Sequence, residues 1–383
     1  MSFLLSSTNH PKLIRRYIPR TTRPGCHKIS ERERHMGAIR NTWNPLRVPT
    51  CVLVIIGISL ALANGSSTGK AVATDRIRFQ LRDDRVVIKY EQQPLATYVF
   101  RDSKTPRPYF AHVFAPNGKQ VTRHHPPRPG QDATDHATFH PGIWLAFGDI
   151  NGQDYWRLKA RVKHAEFIHL PANKSGHASF SVRNQYWNEA GKKVVCTEVA
   201  EYTFQALHSD GSSQMPAGFL LHWDSTFSSS TDDFTFGDQE EMGLGIRVTT
   251  PIAVTQGGQI RNRDGRTNEK QVWGKMSAWC DYSGLVDNHR IGMTLMPDPA
   301  NFRRCWFHAR DYGFCAANPF GRNAFTRGEK SKVTVARGAS LKLRFGIFLH
   351  AQPKNEPRRD LNFAYRAYLD HLKHKQLGKT QEQ

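Results

Sequence analysis

The chain predicts an all-β fold, a large β-sandwich or supersandwich with one C-terminal helix. Three observations carry that expectation. Apolar and polar residues alternate, at least in part, through Ile77–Tyr90, Gln185–Phe204, Gly243–Thr255 and Ser331–Leu349, the period of half-buried strands. Pairs that accept positive φ cheaply punctuate the chain at Asn117-Gly118, Asn151-Gly152, Ala190-Gly191, Gly257-Gly258 and Asp264-Gly265. A helical period occurs only in Asp360–His374, where Leu361, Ala364, Tyr365, Tyr368, Leu369 and Leu372 share a face. Helices between the strands are missing, which argues against a doubly wound α/β fold. No Gly-x-Gly-x-x-Gly follows a strand, which argues against a dinucleotide site.

At the N-terminal end, Cys51–Ala63 runs thirteen residues without a charge. A membrane span needs about 20. The run ends in Ala61-Leu62-Ala63, the small-x-small pattern of a signal-peptide cleavage site. The fifty residues before it, with ten Lys or Arg and two Glu, are too long for a signal n-region. A start at Met36 removes the difficulty. Residues 1–35 then read as a mis-assigned extension, 36–63 as a signal peptide, and 64–383 as one β-sandwich domain with helix 360–374. An uncleaved anchor behind a basic arm is the alternative. The expected location is secreted or periplasmic, with no stable membrane span after processing.

Removing residues 1–63 takes ten of the 54 basic and two of the 33 acidic residues, leaving 44 against 31, or +13. The cations are spread along the chain, with clusters at Arg261–Arg266 and Lys354–Arg359, and no nucleic-acid-binding motif accompanies them. A basic surface that tolerates anionic glycans fits better than a nucleic-acid partner. Four cysteines remain: Cys196, Cys280, Cys305 and Cys315. Disulfides, including a Cys305–Cys315 hairpin bridge, and free buried thiols both stay open. No Cys-x-x-Cys is present, so a structural zinc site is not expected.

Three blocks concentrate ring side chains with proton-carrying groups: Asp135–Trp156, Trp273–Gly284 and His308–Gly321. That mixture suits a polar, ring-shaped ligand. His136 and His140 stand before Pro141-Gly142, which argues for a loop; there they contact a ligand, hold a metal with Asp135, or serve structure. Adjacent in an extended chain, Asp135 and His136 are expected to point apart. His222 shares a strand face with Leu220 and Asp224. A carboxylate opposite a histidine is what sugar mutarotation needs, and Glu241 with His136 or His222 is the expected pair. Trp144 and Trp273 offer stacking faces. Trp273, Lys275, Ser277 and Trp279 share strand parity, with Asp281 following. His308 and Arg310 share parity too, and Arg310 suits a carboxylate or a hydroxyl pair. The Pro-rich stretch His124–Asp135 is a candidate flap.

The stretches RPYFAHVFAPNG (107–118), DHATFHPGIWLAFGDING (135–152), GLGIRV (243–248), WGKMSAWCDYSG and RDYGFCAANPFG resemble the PmoA-like family, exported bacterial proteins commonly labelled "methane oxygenase PmoA". The resemblance implies a galactose-mutarotase-like supersandwich linked to carbohydrate use. Methane oxidation by a membrane subunit is excluded, because it needs several apolar spans of about 20 residues. Relatives carry a denser DHPHHRG-type motif; here it is DHATFHPG, with His136 and His140 kept and no Arg following. The expected function is an exported sugar- or sugar-acid-binding protein with cofactor-free epimerase, isomerase or lyase-type acid–base chemistry. The alternatives are a non-catalytic glycan-binding module and, third, a metal-dependent oxygenase or hydrolase.

Overall fold

Two antiparallel sheets pack face to face in the computed structural model, which describes residues 76–174, 177–208 and 215–381. The expected extension and signal peptide, residues 1–63, lie outside the described residues. The first sheet, called front here, runs in the order Ile77–Leu81, Arg85–Tyr90, Gln93–Val99, Tyr109–Ala111, Ile143–Phe147, Met242–Arg247, Phe314–Asn318, Trp306–Arg310 and Lys275–Met276. The back sheet runs Gln259–Asn262, Cys280–Val286, His289–Pro297, Ser340–Pro353, Gly218–Ser228, Val194–Leu207, His177–Trp187 and Val162–Lys174. A two-stranded piece pairs Phe234–Phe236 with Val333–Val335. The predicted all-β sandwich is therefore the observed fold.

Rings fill the space between the sheets. Tyr98 and Phe110 of the front sheet meet Tyr202 at centroid distances of 5.0 and 5.1 Å, and Phe110 meets Trp223 at 5.6 Å. Each large apolar side chain buried this way contributes about 1.5–3 kcal/mol. At Asn151-Gly152 both residues have positive φ, 54° and 78°, so the turn chemistry read from the sequence is realised.

The C-terminal helix, Asn362–Gln381, runs further than the predicted Asp360–His374. Leu361, Ala364, Tyr368 and Leu372 are buried against Leu220 and Phe348 on the outer face of the back sheet. His222 and Asp224 share that face with Leu220, as their parity required. Lys375 joins Asp224 at 2.6 Å and Glu201 at 2.9 Å, fastening the helix. His222 stacks on His371 at 3.7 Å and lies 3.4 Å from Gln205 Oε1. Among the described residues no helix is long and apolar enough to cross a membrane.

Burial holds His222 well below the usual histidine range, and the nearby His371 and Lys375 add to it. His125 and His164 are held at about 4 mainly by burial. Their folded pKa values lie below the unfolded value of about 6.5, so stability is complete above that pH. As pH falls, the unfolded chain takes up protons that the folded chain refuses. The melting temperature is therefore expected to drop steadily from pH 6.5 towards pH 4, and less steeply in His222→Gln. A melting temperature that stays level across that range contradicts this assignment.

Candidate functional site

The outward face of the front sheet carries the convergence of polar groups. Alternation points Trp144, then Gly243, Gly245 and Arg247, then Phe314, Ala316 and Asn318, then His308 and Arg310 to this side. Gly245 is required by the close approach of Trp144: an added Cβ would lie 2.7 Å from its Cζ2. On Trp144 stands a pile of rings. His140 stacks on Trp144 and on Phe314, each at 4.8 Å, and His136 stacks on His140 at 4.6 Å. Tyr312 lies 5.8 Å from His136 and nearly parallel to it. Trp144 is fully buried and His140 is 3% exposed, so neither offers a face to a ligand. Burial is also the main cause holding His140 well below the usual range, with the charges of His136 and three arginines adding to it. The expected sugar platform at Trp144 is corrected to the base of the ring pile.

Buried arginines hold the loop that supplies His136. Arg123 reaches the carbonyls of Ala133 at 2.8 Å, Asp135 at 2.6 Å, and His136 and His140 at 3.2 Å. Arg107 binds the carbonyls of Tyr155 at 3.1 Å and Trp156 at 2.8 Å, and that of Phe139. Arg247 grips the Asp135 carboxylate with both Nη atoms, at 2.8 and 2.6 Å. Burial draws Arg107 down to about 9 and Arg123 to about 10, so both stay charged at neutral pH. Asp135 Oδ2 also lies 2.7 Å from His136 Nδ1. The expectation that these neighbours point apart fails because His136 has φ 50°, a left-handed turn in place of an extended chain. Burial alone would raise Asp135. Hydrogen bonds from Arg247 and His136 and the charges of Arg247 and Arg123 outweigh it and hold the carboxyl at about 2.

A second cluster forms around Glu240. His308 Nδ1 lies 3.2 Å from the Glu240 carbonyl, which assigns the proton to Nδ1 and leaves a lone pair on Nε2. Nε2 is buried, makes no hydrogen bond of good geometry, and lies 3.3 Å from Glu240 Oε2. Arg310 joins Glu240 at 3.1 Å and Glu269 at 3.0 Å, with Trp273 5.7 Å from its guanidinium carbon. Burial, more than the Arg310 charge, takes His308 down to about 3. Glu240 is raised by burial and by Glu241, with Arg310 and Trp273 opposing. Both effects favour a neutral imidazole facing a carboxyl that retains its proton more readily than an exposed one. Glu241 is instead bound to Arg157 at 2.7 Å.

Tyr312 connects the two clusters. Its phenol is raised to about 12 by burial, and the charges of Arg247, Asp135, Arg310 and Glu241 all act on it. The Arg247 guanidinium lies 4.6 Å from the ring centre. Sequence reasoning singled out His136, Trp273, His308 and Arg310, all of which stand here. Arg247, Glu269 and Tyr312 were missed, and Glu240 was passed over for Glu241.

The remaining expected residues lie elsewhere. His222 is under the C-terminal helix on the back sheet. Asp281, also on the back sheet, is buried at 2.8 Å from His350, 2.9 Å from Thr294 and 2.8 Å from Ser283. These bonds and the His350 charge outweigh burial and lower its pKa. Neither can join a site on the front sheet's outer face. Trp273 to Trp279 is not one strand: a short helix, Asn268–Val272, ends at Trp273, and only Lys275–Met276 pairs. Lys275 is exposed on that edge strand, and Trp279 packs towards the C-terminal helix with its indole on Asn362 at 3.0 Å. The four cysteines are free and buried, and Cys315 lies 3.9 Å from Cys280, across the sandwich. The expected flap is tied down, with His124 at 2.9 Å from Asp132 and Ala133 N at 3.0 Å from Thr250. No three His, Cys, Asp or Glu side chains group as a metal set among the described residues.

The fold and this face define a large antiparallel β-sandwich protein with an open, charge-rich site outside one sheet. The chain belongs to DUF6807, a family of unknown function whose model matches residues 85–360. Among curated proteins none matches it. A solved structure described as "Putative kojibiose phosphorylase from human microbiome" aligns with 78% of this chain at 9% identity and a TM-score of 0.33. The chain spans 36% of that protein's length.

Gly245→Ala tests the ring pile. Trp144 is fully buried and has no space to yield, so the substitution is expected to destabilise the fold by about 1–3 kcal/mol in chemical denaturation. An unchanged midpoint would show that the pile is not close-packed.

Proposed function

We propose that the chain is an exported, PmoA-like carbohydrate-active protein that performs cofactor-free acid–base chemistry on a sugar or sugar acid. The observation that carries this reading is the placing of two histidine–carboxylate pairs, Asp135–His136 and Glu240–His308, on either side of Tyr312. In the first pair, Asp135 holds His136 Nδ1 and leaves Nε2 as the proton-accepting atom. In the second, Glu240 Oε2 and His308 Nε2 face each other at 3.3 Å, placed to pass a proton to the substrate or take one back. A mutarotase or isomerase needs one group to remove a hydroxyl proton while another protonates a ring or carbonyl oxygen, so the substrate's charge stays constant. Arg310, and Arg157 beside Glu241, are positioned to bind hydroxyls or a carboxylate.

The burial of Trp144 beneath the ring pile supports catalysis over a purely aromatic binding module, since a stacking platform needs an open ring face. Glu240→Gln and His136→Gln are expected to lower turnover on a screened sugar substrate by about 10²–10⁴, with KM little changed. Glu241→Gln, which leaves both pairs intact, is expected to affect KM more than kcat. Turnover that survives both Glu240→Gln and His136→Gln would contradict the assignment.

A further inference from the structure

A cleft of about 850 Å³ opens beside the candidate site, between residues 100–107 and 158–164. A second depression, of about 570 Å³, shares Arg101, Asp102, Ser103 and Lys104 with it and extends to Ala137 and Thr138, next to His136. The two walls are pinned by Val162 N on Pro106 O at 2.9 Å. Arg107 lies in the floor, so the cleft shares an anchor with the loop that carries the ring pile.

The sequence from Arg157 is RLKARVK, with a cation at every second position. Ala160 and Val162 are buried while Arg157, Lys159, Arg161 and Lys163 are exposed. The first of these sits at the candidate site, bound to Glu241; the other three line the cleft. Lys104 faces them from the opposite wall. Among the described residues, Lys104, Arg161 and Lys163 pair with no carboxylate, and Lys159 is 3.9 Å from Asp154. The nearby acids are already engaged. Asp102 accepts from Tyr109 at 2.7 Å and from Lys104 N at 2.8 Å, and Glu166 is bound to Arg183 at 2.7 Å. Glu189 is the remaining acid lining the cleft.

A concave wall lined mostly by one sign of charge concentrates opposite charge from solution. We propose that Lys159, Arg161, Lys163 and Lys104 form a binding track for an anionic oligosaccharide, one carrying carboxylates or sulfate esters, that enters the site past Arg157. This rests on the sugar reading above and narrows its substrate class. A single-stranded nucleic acid would need open rings for its bases. Here Phe100 is 5% exposed and Trp187 lies under Lys163 Nζ at 4.4 Å, which leaves the anionic groups of a glycan as the better match.

Calorimetric titration of the purified chain with polygalacturonate, dextran sulfate and neutral dextran tests the track. At least one polyanion is expected to bind and dextran not to; which one binds identifies carboxylate or sulfate. Replacing Lys159, Arg161 and Lys163 with Gln is expected to weaken binding about tenfold, roughly two- to threefold per exposed ion pair. An equal-charge control, Lys330, Lys332 and Lys354 to Gln, is expected to stay within about twofold of the wild type. Melting temperatures of both variants establish that each is folded. The track is overturned if no polyanion binds, if the control loses as much as the track variant, or if a thymidine oligonucleotide binds as tightly as the glycans. Glu240→Gln separates this inference from the catalytic one. Unchanged turnover in that variant would contradict the acid–base reading alone, whereas the track stands or falls on the polyanion binding lost in the Lys159, Arg161 and Lys163 variant.

Discussion

Irregular backbone laid over a sheet must find partners for its carbonyls, because a buried unpaired carbonyl costs about as much as a lost hydrogen bond. Here Arg107 and Arg123 supply those partners. Arg123 alone serves four carbonyls between Ala133 and His140, and Arg107 joins Phe139 to Tyr155 and Trp156. Arg247 adds the bond to Asp135. A guanidinium suits this work because it presents five donors in a fixed plane and stays charged when buried. Without these arginines, neither the ring pile nor the orientation of His136 has an anchor.

The same burial that demands arginines also sets the chemistry. Enclosure takes His308 and His140 out of the titrating range at neutral pH, yet the two have different opportunities. His140 is closed in by Trp144, Phe314 and His136, so it can only pack. His308 keeps its Nε2 lone pair beside a partly exposed carboxyl, so it can exchange a proton. Two histidines on the same face, one on a loop and one on a strand, therefore divide between structure and chemistry according to what faces their ring nitrogens.

The fold was largely legible because its signals are local. Asn151-Gly152 needs only two residues to declare a turn, and the apolar face of the C-terminal helix repeats over four turns of one segment. The site was legible only in part, because its signals are not local. Arg107, Arg123 and Arg247 look in sequence like polar positions of solvated strands; only the loop folded over them makes them interior. Glu240 and Glu241 are adjacent, and the sequence offers no reason why one meets His308 and the other Arg157. Trp273 to Trp279 suggested one strand face, but Gly274 turns left-handed at φ 67° and divides the segment between a helix end and an edge strand. His222 had the right chemistry on the wrong sheet.

The dependence of the site on its arginines can be measured directly. Arg123→Met keeps an unbranched apolar stem and removes the four bonds that Arg123 donates to carbonyls of the 133–140 loop. Hydrogen exchange should then quicken at Ala133 and His140, whose amides are bonded within or next to that loop, while the strands of both sheets keep their protection. Exchange that is unchanged at 133–140 in a folded Arg123→Met protein would contradict the claim that buried guanidiniums hold the site in place.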